Sequence, residues 1–338
     1  MKPLIEVSEL VKEFRSFERA QGVRGALRDL FFREHKTIRA VDRITFEIPA
    51  GEMVGYIGPN GAGKSTTIKM LTGILMPTSG LIRSNGFRPF HERTRYTRTI
   101  GVVFGQRTQL WWDIAVVESF RLLKNIYNVS AADYDARMKR FDGVLELGRY
   151  LNTPVRKLSL GERMRCDVAA ALLHNPPILF LDEPTIGLDI VAKDHIREFL
   201  KQVNREHGTT MLLTTHDLAD IEELCRRLMV IDKGKLLFDG PLEELKRRLW
   251  REHTIRFDLK DREQALKLEA LASDGLTVER LSDLSLRLRF PRDAYTTAEI
   301  IRRAVNSADV LDIAIEEQPI DEVVKQIYSG NLLQEPVP

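Results

Sequence analysis

The sequence predicts an α/β fold built on a largely parallel sheet, followed by a smaller α+β unit of the ferredoxin-like kind. Three observations predict it. Short apolar runs at 53–57, 178–182 and 210–215 are flanked by polar residues and separated by helical periodicity, as in strands buried on both faces. A glycine-rich loop joins the first run to a helix-forming segment, Ser65 to Leu75. After Gly240-Pro241 the pattern becomes strand 254–259, helix 262–272, strand 276–281, strand 284–290, helix 295–305 and strand 309–316, in the order β-α-β-β-α-β.

Length and composition frame this reading. The 338 residues suffice for two domains, here divided as 1–240 and 241–338. A hydrophobic fraction of 43% excludes a wholly disordered chain. The net charge of +2 argues for no particular partner, and nucleic acid is not expected. Cys166 and Cys225 are isolated, without CxxC or metal-ligand spacing, which reads as a reduced cytosolic protein. Met1 to Leu10 lacks the apolar run of a signal peptide. No apolar stretch approaches the roughly 20 residues that span a bilayer. Any membrane component is therefore expected on another chain.

Along the chain, residues 4–10 read as a first strand. Residues 15–37 are rich in Arg and contain Phe17, Phe31 and Phe32. They read either as a basic amphipathic element touching a membrane or partner, or as a solvated helical insertion whose aromatics pack on the core. Residues 40–48 alternate apolar and polar, as in a half-buried strand. Pro49 to Glu52 is a turn, and 107–175 is mainly helical. A last helix is expected from Ile320 to Tyr328.

The run Gly58-Pro59-Asn60-Gly61-Ala62-Gly63-Lys64-Ser65 matches GxxxxGKS completely, between a predicted strand and a predicted helix. The glycines let backbone N–H groups approach phosphate oxygens, and the helix N-terminus adds partial positive charge. Lys64 supplies a point charge for the β- and γ-phosphates, and Ser65 a hydroxyl for Mg²⁺. Thr66 is counted with them as nucleotide-binding. Ile178 to Leu181 is an apolar strand ending in Asp182 and Glu183. Asp182 is placed to hold Mg²⁺ through a water, and Glu183 to face the γ-phosphate as general base.

The remaining motifs resemble those of ABC transporter ATP-binding subunits over roughly residues 4–240. Leu158-Ser159-Leu160-Gly161-Glu162 resembles the signature sequence, Gln106 the Q-loop glutamine, and Thr185-Ile186-Gly187-Leu188-Asp189 the D-loop. His216 resembles the switch histidine, and Phe14 the aromatic that stacks on adenine. The signature departs from the commonest version at Leu160 and Glu162 but keeps the serine and glycine. The resemblance implies an ABC-type nucleotide-binding domain with a helical subdomain, taking ATP and Mg²⁺. It further implies a head-to-tail pair of protomers, from one chain or a close paralogue. Lys64 and Ser65 of one protomer would then face Ser159, Leu160, Gly161 and Glu162 of the other. Gln106 would sense Mg²⁺, His216 would hold the γ-phosphate, and Asp189 would sit at the shared interface.

The signature variant and the carboxyl-terminal extension are similar to ATPases of bacterial ABC-2-type export systems, and the 15–37 insertion to polysaccharide-export ATPases. The preferred reading is an export ATPase on the cytoplasmic face of the cell membrane, working on an integral-membrane permease of separate chains. Trp111 and Trp112 either line the docking groove for that partner or are core aromatics. The alternative is a soluble ABC ATPase of iron–sulfur assembly, translation or DNA repair. A regulatory ATP-binding switch is disfavoured by the intact Glu183 and His216.

Overall fold

The computed structural model describes residues 2–17, 35–105, 107–249, 252–273 and 275–316. The chain divides into two compact units, Met1–Leu242 and Glu243–Pro338.

The first unit contains nine strands among its described residues. These are β1 (Ile5–Phe17), β2 (His35–Ile48), β3 (Met53–Ile57), β4 (Ser79–Ser84), β5 (Ile100–Phe104), β6 (Ile178–Asp182), β7 (Thr210–Thr214), β8 (Arg227–Asp232) and β9 (Lys235–Pro241). A six-stranded sheet has the order β5-β6-β7-β3-β8-β9 and is parallel except at β8–β9. Its central strands are short apolar runs because both faces are covered, so no polar alternation is needed. Ile178 to Leu181 and Met211 to Leu213 are buried accordingly.

A second, antiparallel sheet has the order β2-β1-β4. Here the sequence reading needs correction. The first two strands run past residues 10 and 40, because Arg15 to Phe17 pair with Thr37 to His35. The described flanks of the 15–37 insertion are therefore strand, not helix. Val11, Phe14 and Phe17 are three apart rather than two, so the sequence carries no strand alternation there, and the facing strand that satisfies the backbone donors makes the ladder. Phe31, Phe32 and the rest of 18–34 lie outside the described residues, as does the expected helix at 320–328.

The helices of the first unit are α1 (Lys64–Leu71), α2 (Val116–Ile126), α3 (Ala131–Leu145), α4 (Leu160–Leu172), α5 (Ile190–His207) and α6 (Leu218–Leu224), besides one four-residue turn; α7 (Leu242–Leu249) starts at the boundary between the units. The helix expected over 65–75 ends at Leu71, where the amides of Ile74 and Leu75 turn back to the Lys69 carbonyl. Helices α2, α3 and α4 fill most of 107–175.

The second unit runs β10 (Glu252–Leu259), α8 (Arg262–Glu269), β11 (Thr277–Arg280), β12 (Ser285–Pro291), α9 (Thr297–Ser307) and β13 (Val310–Glu316). Its sheet has the order β11-β12-β10-β13 with every neighbour antiparallel. Ile255, Phe257, Leu286, Leu288 and Phe290 alternate inward onto Leu268, Ile300 and Ala304.

Candidate active site

The site forms at the carboxyl ends of the parallel strands, where open α/β sheets place their ligands. The sheet register sets it. Phe104, Asp182 and Thr214 lie side by side as the last residues of β5, β6 and β7. The chain then leaves each strand into a loop, so Gly105, Glu183 and Thr215 make the next row.

The phosphate loop enters from β3 and feeds α1. Gly63 adopts a φ of 111°, and a Cβ there would lie 2.5 Å from the Ala40 carbonyl, so no side chain fits. Lys64 is 6% exposed, and its Nζ donates to the carbonyls of Gly58 at 2.6 Å and Pro59 at 3.2 Å. Its ammonium thus bends back over the loop. Burial lowers its pKa, while Glu183 and Asp182 oppose that. Thr67 anchors the first helical turn through its hydroxyl to the Gly63 carbonyl at 3.1 Å. Ser65 Oγ lies 3.5 Å from Asp182 Oδ1, which also accepts from Thr214 Oγ1 at 2.6 Å.

Glu183 has a φ of 57°, in the left-handed region. Such a conformation costs a non-glycine residue about 1–3 kcal/mol and persists only where surrounding bonds over-determine it. Its N–H donates to the Thr214 carbonyl at 2.9 Å. On the other side the Gly105 N–H donates to the Asp182 carbonyl at 2.7 Å. Gly105 comes so close that a Cβ would lie 2.0 Å from the Glu183 carbonyl. The strained turn aims the carboxylate at His216, whose Nε2 is 2.6 Å from Glu183 Oε1. Ser65, Lys69, Phe104, Gly105, Arg107, Asp182 and Glu183 line a cavity of about 320 Å³ beside α1.

The other sequence-singled residues sit apart from this cluster. Ser159 caps α4 in a capping box: its Oγ accepts from the Glu162 N–H at 3.3 Å, and its own N–H donates to Glu162 Oε2 at 2.8 Å. Leu160 packs against Gly187, and Gly161 faces Ala192 and Leu188. Asp189 caps α5 through the Ala192 N–H at 2.8 Å. Phe14 is an exposed β1 aromatic under the Lys12 ammonium, on the hairpin whose Ala40 backs the phosphate loop. Gln106 lies outside the described residues. Trp111 and Trp112 are both exposed, and the Arg163 guanidinium lies over the Trp112 ring. They are therefore not core aromatics of this chain.

Sequence reading missed Thr214, Arg107 and Lys69. Thr214 had a usable signal, as the polar end of an apolar strand two residues before His216. Arg107 and Lys69 had none, because only the tertiary fold brings their elements to the cavity. Among the described residues, no three or more His, Cys, Asp or Glu side chains are grouped to hold a metal.

A complete phosphate loop beside two carboxylates, at the carboxyl edge of a parallel sheet, defines a P-loop nucleotide-binding ATPase. A family model described as ABC transporter matches residues 41–186. The ABC transporter ATP-binding protein NatA of Bacillus subtilis is 33% identical over 210 residues, covering 62% of this chain and 85% of its own. The daunorubicin/doxorubicin resistance ATP-binding protein DrrA of Streptomyces peucetius is 34% identical over 291 residues, covering 84% and 86%. The Nod factor export ATP-binding protein I of Cupriavidus metallidurans is 38% identical over 205 residues, covering 61% and 67%. Among solved structures, the ATP-binding cassette MJ0796, a dimer in a post-hydrolysis state bound to ADP and Pi, superposes with a TM-score of 0.59. It is 27% identical and covers 70% of this chain and 98% of that one. The chain belongs to the ABC transporter family, among its ATP-binding, ATP-hydrolysing subunits.

Proposed function

We propose that this chain powers export by hydrolysing ATP at a site shared between two protomers, bound peripherally to a separate membrane permease at the cytoplasmic face. The observation that carries hydrolysis is the Glu183–His216 pair at 2.6 Å, held by a strained turn beside the phosphate loop. Glu183 takes a proton from the attacking water. His216 orients that carboxylate and meets the γ-phosphate. Lys64 meets the β- and γ-phosphates, releasing the Gly58 and Pro59 carbonyls that it now bonds. Apart from Pro59, which has no N–H, the loop from Gly58 to Ser65 presents backbone amides to the same oxygens, with Thr66 following on α1.

The residues present fit Mg²⁺. Ser65 Oγ and Asp182 Oδ1, 3.5 Å apart, form an all-oxygen donor set suited to a hard cation. Ser65 and Asp182 would hold it, together with Gln106, and it would supply positive charge to offset the negative charge of the phosphates.

Ser159 and Gly161 supply donors to the partner's nucleotide. Capping uses only the acceptor side of the Ser159 hydroxyl, so its O–H remains able to donate. Asp189 stands at the same interface, followed by the exposed Ile190 and Val191. Export is supported by the named roles of the relatives, drug resistance and Nod factor export. Among the described residues no helix is long and apolar enough to cross a membrane, which fits a peripheral subunit. The exposed Trp111 and Trp112 are candidates for the permease contact.

Glu183→Gln tests the site. The variant is expected to bind ATP, lose on the order of 10²-fold or more in turnover, and accumulate as an ATP-trapped dimer in size-exclusion chromatography. Near-normal steady-state hydrolysis would remove Glu183 as the base.

A further inference from the structure

Behind the Glu183–His216 pair lies a buried carboxylate that the hydrolysis step does not use. Asp220, in α6, is 0% exposed. Its Oδ2 accepts from Thr185 Oγ1, and from Thr215 Oγ1 at 3.1 Å. Its Oδ1 accepts from Arg197 Nε at 2.7 Å and lies 2.5 Å from Arg197 Nη2. Thr185 stands two residues after Glu183, and Thr215 one residue before His216. The two loops that carry the reactive pair therefore close on a single oxygen.

The carboxylate is itself fixed from outside. Lys193, Arg197 and Lys201 recur every four residues on one face of α5. Opposite them stand Asp217, Asp220 and Glu223, three apart on α6 and its N-cap. Lys193 pairs with Asp217, Arg197 with Asp217, Asp220 and Glu223, and Lys201 with Glu223. Burial pulls the Arg197 guanidinium down, yet Asp220, Glu223 and Asp217 more than offset it and raise its pKa. A buried ion pair is weak support for stability alone, because desolvation consumes most of its attraction. Holding two loops in register is a use that does not depend on net stability.

We propose that Asp220 is a positioning residue for ATP hydrolysis, locking the Glu183 and His216 loops together through Thr185 and Thr215. The inference rests on the reading of Glu183 as general base. It adds that the left-handed turn at Glu183 is held from behind by the Thr185 bond. Losing that bond should let the carboxylate drift from the attacking water without disturbing Lys64 or the phosphate loop.

The decisive variant is Thr185→Val, which keeps the shape and removes one hydroxyl. In the full chain, kcat is expected to fall about tenfold, the scale of one hydrogen bond to a buried charge, with KM for ATP within about twofold of wild type. Thr185→Ser, which restores the hydroxyl, should recover most of the rate. Asp220→Asn should lower kcat in the same direction. Thermal melting of each variant, with kcat measured well below its transition, separates positioning from unfolding. A Thr185→Val protein with wild-type kcat overturns the proposal, as does a loss that Thr185→Ser leaves unrepaired or that appears in KM instead. Normal turnover by Glu183→Gln would sink the underlying site assignment, whatever Thr185 does.

Discussion

Asp167 is the residue whose chemistry most exceeds its place in the sequence. It is 4% exposed, inside α4, and its Oδ1 accepts from Thr108 Oγ1 at 2.8 Å and from the Gln109 N–H at 3.0 Å. Gln109 Nε2 also donates to its backbone carbonyl at 2.8 Å. The loop after Gln106 is thus clamped to the signature helix. Burial pushes the carboxyl up to about 6, although these donors and Arg163 pull it down. A folded-state pKa above the unfolded value means that the native protein binds the proton more tightly. The cost of the buried charge is therefore present above about pH 6 and is relieved as pH falls towards the ordinary carboxylate value. Asp167→Asn should remove that dependence. Compared with wild type, its melting temperature should gain more at pH 7.5 than at pH 4.5, by an amount worth about 2 kcal/mol. Equal differences at both pH values, in calorimetric scans, would show that Asp167 carries no such charge cost. Nothing around position 167 announced this, since its partners lie 58 and 59 residues away.

At the scale of elements, caps explain how the signature tolerates its departures. Glu162, where the commonest version has Gln, still closes the box on Ser159, because either side chain can accept from the N-cap amide. Leu160, where glycine is usual, finds room against Gly187. Ser159→Ala removes one partner of the box and is expected to cost about 1 kcal/mol of stability, read as a lower denaturation midpoint with an unchanged slope. An unaltered midpoint would mean that the cap contributes nothing to the helix. Strand lengths show a different lesson. The central runs were legible to within a residue, since burial on both faces demands uninterrupted apolar sequence. The hairpin β1–β2 was legible only in its inner part, because its outer rungs are partly exposed, as at Phe14, Ile38 and Arg39. Strands β4, β5, β8 and β9 went unread, although β8 is itself an apolar run.

For the whole molecule, the proposed function requires the phosphate loop of one protomer to meet the signature of another. Mixing Ser159→Ala with Lys64→Ala protomers should leave one of two sites complete, and so about half of wild-type hydrolysis in the heterodimer, with each homodimer impaired. Heterodimers that are always as inactive as the Lys64→Ala homodimer would argue against head-to-tail sharing. The second unit carries no catalytic constellation among its described residues. Its sheet displays Arg256, Arg287 and Arg289 beside Asp258, Glu279 and Glu316, already paired with one another. That arrangement is a solvated, self-neutralised face rather than a reaction centre.

The sequence alone determined the α/β class, the phosphate loop, the acidic pair and the order of motifs. Each is a local run whose chemistry depends on spacing within a few residues. Tertiary structure decided how those pieces act on one another. Sheet register aligned Phe104, Asp182 and Thr214, a left-handed turn aimed Glu183 at His216, and Asp220 joined their two loops from behind. These contacts span tens of residues, and the free energy that selects them comes from burial and paired charge, which no local pattern records.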